Sequence, residues 1–287
     1  MKTALIFGGS GMIGQEFFQT LSKSMIVMSI SYEQCDITSI EAVVAQLSKY
    51  HPDIIIKCAG IIDVESCEKD PDRAFLVNTQ GVKNIVDAMI SCDLKGCIFV
   101  QMSTAYVFEG SVAEYSEDDL PNPGTIYGLS KYKAEQEICS SFAQSSIRYY
   151  IIRTGWVYSE FRQTFIDLVV DSISKGDAID IVTDQSGVIT WAHELTEAVQ
   201  TIMLDADSNP SGIYHVTNNA ERAVSKYEIA VACARIFGFD VSLVRPIDST
   251  SLQGVKRPRY SFLKTNKGIV LPQWQESLQH YLMEKYG

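Results

Sequence analysis

A chain of 287 residues with 46% hydrophobic side chains is long enough for one large domain or two unequal ones around a sizeable core. Its 24 Lys and Arg against 35 Asp and Glu give a formal charge of −11, which excludes a general nucleic-acid binder and leaves any anionic ligand to be held by local groups. Seven cysteines without a CxxC pair fit reduced thiols in a cytosolic compartment, not a disulfide framework or zinc site, and neither a signal peptide nor an apolar stretch of membrane-spanning length is found.

Ala4-Leu5-Ile6-Phe7 is a short apolar run ending in Gly8-Gly9-Ser10-Gly11-Met12-Ile13-Gly14, after which Phe17, Phe18 and Leu21 recur at helical spacing. Strand, glycine turn and helix in this order suit a dinucleotide. Gly8 permits the tight turn, Gly11 lets the backbone approach a pyrophosphate where Met12 and Ile13 open the helix, and Gly14 allows close helix–strand packing. The first gap is one residue longer than the usual fingerprint, so by itself the pattern also fits an ordinary glycine-rich turn. Its place at the start of a βαβ pattern favours the dinucleotide.

The second strand, Met25 to Ile30, ends where a carboxylate would bind an adenosine ribose or an arginine a 2′-phosphate. Ser29 and Ser31 stand there, so NAD and NADP both remain open. Asp36-Ile37 precedes an amphipathic helix, and Asp36 has two readings, cap of that helix or contact to the adenine amine. The third strand runs from Ile54 into Cys58-Ala59-Gly60, small residues against which a cofactor could lie. A long helix is expected from Asp70-Pro71 to Met89, carrying Asn78 as a candidate cofactor contact. The fourth strand, Cys97 to Met102, ends in Ser103-Thr104, hydroxyls placed beyond a strand's carboxyl end where α/β proteins bind ligands.

Tyr127 and Lys131 follow a Pro/Gly-rich loop. Four residues apart on a helix they share a face, and a fixed cation beside a phenol favours its ionised form, so the pair suits acid/base chemistry on a carbonyl or alcohol. Alone, a five-residue pattern is more often a surface helix start. A fifth strand, Tyr149 to Arg153, completes a regular β/α alternation that predicts a Rossmann-type, doubly wound parallel sheet over 1–157. The remainder, 158–287, reads as mainly a smaller mixed α/β substrate-binding subdomain, with some elements, within about 181–237, returning to the first domain.

These motifs together resemble the extended short-chain dehydrogenase/reductases, and within them the dTDP-4-dehydrorhamnose reductase family. Beyond the glycine turn and the Tyr127–Lys131 pair, the resemblance rests on Ser103-Thr104-Ala105-Tyr106-Val107-Phe108, Arg153-Thr154-Gly155-Trp156, Asp184-Gln185-Ser186-Gly187, Arg257-Pro258 and Leu271-Pro272-Gln273-Trp274. It implies reduction of a nucleotide-linked 4-keto-6-deoxyhexose by NADPH or NADH, with Tyr127 as general acid, Thr104 on the developing alkoxide, and Lys131 lowering the tyrosine pKa and holding the nicotinamide ribose. Ser103, Ala105, Trp156 and Arg257 become candidate sugar or diphosphate contacts, no metal is called for, and a homodimer is the candidate assembly. The chain departs from the family's pattern at Ala105, usually Asp, at Ser29, usually acidic, and at Lys57, commonly Asn. Ala105 keeps a different nucleotide sugar, reduced or epimerised, as an alternative; a non-catalytic dinucleotide-binding subunit is the other.

Overall fold

Apolar runs without polar alternation can be satisfied only in a sheet covered on both faces, and that is where these residues go. The computed structural model describes residues 1–205 and 207–287. In chain order the first half forms β1 Thr3–Phe7, α1 Met12–Ser22, β2 Ile26–Ile30, α2 Ile40–Tyr50, β3 Ile54–Lys57, α3 Val64–Lys69, α4 Pro71–Phe75, α5 Gly81–Ser91, β4 Ile98–Thr104, α6 Ile126–Phe142 and β5 Arg148–Thr154. The second half forms β6 Val157–Tyr158, α7 Phe165–Ser174, β7 Ile179–Val182, β8 Ser186–Gly187, β9 Thr190–Trp191, α8 Ala192–Leu204, β10 Gly212–His215, β11 Val224–Ser225, α9 Lys226–Phe237, β12 Val244–Ile247 and α10 Trp274–Tyr286.

The main sheet has six parallel strands in the order β10-β5-β4-β3-β1-β2. The fold is therefore Rossmann-type. Strand order reverses between β1 and β3, which opens a crevice at their carboxyl ends. Alternate residues of the strands fill two cores. Leu5, Phe7, Ile55, Phe99 and Ile151 pack beneath α2, α5 and α6, and Ile6, Ile54, Ile56, Val100 and Ile152 beneath α1 and α8.

A separate core joins α7, α9 and α10 through residues such as Val169, Ile229, Cys233, Leu278 and Leu282, with β7 and β12 paired at its edge. Of the elements within 181–237, α8 and β10 return to the first domain. β10 pairs with β5, and Thr20 of α1 meets Thr196 of α8 at 2.8 Å between hydroxyls. α9 stays in the second core because its apolar residues Ile229 and Cys233 face α7 and α10.

The long helix expected over 70–89 is instead α4, a π-helical turn at Leu76–Gln80, and α5. Such turns interrupt a helix where a side chain is directed elsewhere, here Asn78. No helix among the described residues is long and apolar enough to cross a membrane.

Candidate active site

The crevice at the strand-order reversal is a cleft of about 300 Å³. It is lined by Gly8, Gly11, Asp36, Ile37, Cys58, Ala59 and Gly60, together with Ser10, Tyr32 and Arg73, for which the sequence carried no motif. Its floor is backbone against backbone. Gly8 has φ 81°, and a methyl group there would lie 2.3 Å from the Ala59 nitrogen, while one on Gly14 would lie 2.3 Å from the Gly8 carbonyl oxygen. Gly11 caps α1 without a side chain, and the first turn holds no acid, so the first amides of the helix, which include Met12 and Ile13, are left for an anion. This glycine cradle fits a dinucleotide's pyrophosphate.

Two cofactor candidates, Ser29 and Asn78, take other places, and Asp36 keeps one of its two readings. The cap of α2 is Ser39, not Asp36; the Asp36 carboxylate accepts from Thr38 at 2.9 Å (N) and 2.8 Å (Oγ1), and the Thr38 amide holds it below the usual carboxylate range while it lines the cleft. Ser29 does not line the cleft; it presses on the glycine turn, its hydroxyl 1.9 Å from where a Gly9 Cβ would stand. Asn78 is fully buried: it exchanges two 2.9 Å hydrogen bonds with the Ile61 backbone and donates to Ser130 Oγ at 3.0 Å. It fastens the cleft wall to α6.

Helix α6 begins early enough to carry both Tyr127 and Lys131. Thr125 caps it by accepting from the Gly128 amide at 3.1 Å, and Glu68 of α3 accepts from the Ile126 amide at 2.7 Å. A Cβ on Gly128 would fall 2.0 Å from the Tyr106 carbonyl oxygen, so only glycine lets the helix seat Tyr127 against the end of β4. The Tyr127 phenol lies beside the Thr104 side chain, whose oxygen accepts from the Tyr106 amide at 3.2 Å.

The electrostatics differ from the sequence expectation. Burial pushes the Tyr127 phenol up to about 12, with the neighbouring Thr104 hydroxyl opposing the rise, so no net lowering by Lys131 is found. Lys131 donates to the Met102 carbonyl at 2.5 Å, and burial draws it down to about 8 against the attraction of Glu135. A phenol so placed is protonated at neutral pH, the state a proton donor requires.

Strand alternation separates the two hydroxyls of β4. Thr104 meets Tyr127, whereas Ser103 turns to the opposite face and donates to Glu135 at 2.5 Å, where Arg153 binds the same carboxylate at 2.7 Å. Ser103 is thus not a substrate contact, because its hydroxyl belongs to a buried ion pair. Lys57 lies fully buried near this layer with no partner for its amine among the described residues. Burial, reinforced by the nearby Lys131 charge, holds its pKa well below the ordinary value.

From Tyr127 a wall of aromatic side chains leads outward. The Tyr106 ring stands edge-on to Tyr127 at 5.9 Å, and the Trp156 side chain lies near the Tyr106 hydroxyl. Trp156 itself has φ 45°, a left-handed conformation that costs a bulky residue about 1–3 kcal/mol and persists where surroundings demand it. Beyond it, Lys226 Nζ lies 5.4 Å from the Trp156 ring centroid, and Arg257 is held by Glu65 at 3.2 Å. Ala105, by contrast, is 2% exposed, its methyl directed toward Gly155. It contributes little open surface.

Thr104, Trp156 and Arg257 therefore share a site that Ser103 and Ala105 back from behind. Sequence reasoning missed Tyr106, Glu65 and Lys226. The available signal for Lys226 was its sign: a cation directly after the Ser225 cap opposes the helix dipole. A groove of about 1100 Å³ between α9 and α10 contains none of these residues.

Comparison with known proteins agrees with this geometry. The family model described as "RmlD substrate binding domain" matches residues 1–286. The spore coat polysaccharide biosynthesis protein SpsK of Bacillus subtilis is 32% identical, the match covering 99% of this chain and 98% of that one. A dTDP-4-dehydrorhamnose reductase of Streptomyces griseus is 31% identical over 92% of this chain and 86% of the relative. Among solved structures, a dTDP-4-dehydrorhamnose reductase of Bacillus anthracis in complex with NADP superposes with a TM-score of 0.89 at 28% identity, covering 99% of this chain and all of that one.

Proposed function

This chain belongs to the RmlD substrate-binding domain family, and from that premise we propose that it is an NAD(P)H-dependent reductase of a nucleotide-linked 4-keto-6-deoxyhexose. It works in the manner of the dTDP-4-dehydrorhamnose reductases it resembles. The observation that carries this reading is the placement of the Tyr127 phenol beside the Thr104 side chain, with buried Lys131 one turn further along α6 and a glycine-cradled dinucleotide cleft beside it.

The dinucleotide, held by Gly8, Gly11, Asp36 and the Cys58–Gly60 wall, supplies the hydride when bound. Reduction leaves negative charge on the sugar's carbonyl oxygen. Tyr127 donates its phenolic proton to that oxygen, and Thr104 supplies a hydrogen bond that strengthens as charge develops. Lys131, fixed by the Met102 carbonyl, places a positive charge beneath the site and would hold the cofactor's ribose. The Tyr106–Trp156 wall excludes water on the sugar side. Seven unbridged cysteines support a cytosolic setting. A homodimer is the assembly we assign, to be read by sedimentation.

The reading is tested by following NADPH and NADH consumption with dTDP-4-dehydrorhamnose. Wild type turns over, and Tyr127→Phe loses about 100- to 10,000-fold in kcat. Full turnover by the variant would contradict the assignment. Tight dinucleotide binding without turnover on any nucleotide-linked keto sugar would favour a non-catalytic subunit instead.

A further inference from the structure

Lys226 is the first residue of α9, directly after Ser225, whose hydroxyl accepts from the Glu228 amide at 3.1 Å in a capping box. Helix formation gives no reason for a cation here, since positive charge opposes the dipole at this end. Nor is it a solvated surface lysine. Its Nζ donates to Gln185 Oε1 at 2.9 Å and lies against the Trp156 ring, with no carboxylate paired to it among the described residues. Gln185 is itself buried and held in place: its carbonyl accepts from the Lys226 amide at 3.2 Å, and the adjoining Ser186 amide donates to the Arg259 carbonyl at 2.8 Å.

That last bond brings the 257–261 segment alongside, and with it a second cation. Arg257 sits close enough that its charge, after burial, helps draw Lys226 down to about 8. The same guanidinium is close enough to Tyr106 to act on its hydroxyl, and Trp156 also lies near that hydroxyl. Glu65 neutralises Arg257 only from one side, at 3.2 Å, while also accepting from the Val255 amide at 2.9 Å. In a chain with a net charge of −11, two cations are thus held near each other at the outer end of the wall that starts at Tyr127. Like charges kept together in partly buried surroundings are unfavourable until a multiply charged anion joins them.

We propose that Lys226, together with Arg257, forms the clamp for the diphosphate of a nucleoside-diphosphate-linked substrate, Trp156 lying between that clamp and the sugar's reacting end. The assignment rests on the reductase reading above. Lys226 is its new element: it fixes the diphosphate, and so sets how far the sugar reaches toward Thr104 and Tyr127.

The test uses dTDP, which carries the diphosphate but no reacting sugar, with UDP and thymidine as companions. Binding to the full-length protein, loaded with dinucleotide, is read by calorimetry for wild type and for Lys226→Met, Lys226→Gln and Lys226→Arg. Removing the charge weakens dTDP and UDP about 10- to 100-fold, as expected for a lost charged hydrogen bond. Thymidine affinity stays within about twofold, and Lys226→Arg recovers most of the diphosphate affinity. Dinucleotide affinity, set in a different cleft, reports that each variant is folded; Lys226→Gln serves if Lys226→Met is not. Unchanged dTDP affinity in a folded variant, or equal losses for dTDP and thymidine, would overturn the clamp and leave the reductase reading standing. Failure of the wild-type protein to bind either nucleoside diphosphate would remove both.

Discussion

The dinucleotide cleft and the wall leading to Lys226 are built by opposite means. The first is mostly backbone: a glycine turn, two strand ends and the unpaired amides of α1, nearly all from residues 8–60. The second is side chains, Tyr106, Trp156, Lys226 and Arg257, brought together from across the chain. A site of backbone must keep Gly8 and Gly14, because the place of each missing Cβ is taken by another main-chain atom. A site of side chains can be retuned one residue at a time, which suits the half that selects the sugar nucleotide.

The contrast is sharpest at the residues between the two, where the largest effect is expected. Tyr127→Phe should leave both ligands bound and abolish most turnover, the loss appearing in kcat and not in KM. Thr104→Val should cost about 100-fold in kcat by removing the partner of the Tyr127 phenol and of the developing charge. On the backbone side, Gly14→Ala forces a methyl to within 2.3 Å of the Gly8 carbonyl. It should destabilise the protein by about 1–3 kcal/mol and weaken the dinucleotide about tenfold, while dTDP affinity in whatever folds is retained. Equal weakening of both ligands would show that the two halves are not independent.

The smallest effect concerns stability. Lys57→Met replaces a buried, unpartnered amine with an apolar chain of similar length, and should raise stability by about 1–2 kcal/mol near neutral pH. The sign follows from its pKa, held well below the ordinary 10.5 in the folded protein. Between the two values the unfolded chain binds a proton that the folded one lacks, so wild-type stability rises with pH across that window. The advantage of Lys57→Met in Tm should therefore shrink as pH approaches 10.5.

How much was legible in the sequence follows the same division. Gly8, Gly11, Gly14, Tyr127 and Lys131 show as motifs because they obey rules of turn and helix that act within a few residues. The parallel sheet showed through its unbroken apolar strands. Ser103 and Thr104 could not be told apart, since the choice depends on which face α6 covers. The Tyr127 phenol was expected low because a cation four residues away is visible in the sequence, whereas the burial that outweighs it is not. Asn78 stands out in the sequence as a cofactor contact, yet it braces the cleft wall. Its partner Ser130 lies 52 positions away, and the π-helical turn that aims it leaves no mark in composition. Lys226 was passed over because Gln185, Trp156 and Arg257 meet it only in the folded chain.

The central claim is that Thr104, Tyr127 and Lys131 carry out a net reduction of a nucleotide-linked keto sugar. Its most direct test is NMR analysis of the sugar formed from dTDP-4-dehydrorhamnose by wild type and Tyr127→Phe, with dinucleotide consumption measured in the same tube. One reduced sugar per NADPH or NADH oxidised by wild type, and almost none by the variant, is the predicted result. An epimerised keto sugar formed without dinucleotide oxidation, or equal reduction by both proteins, would contradict it.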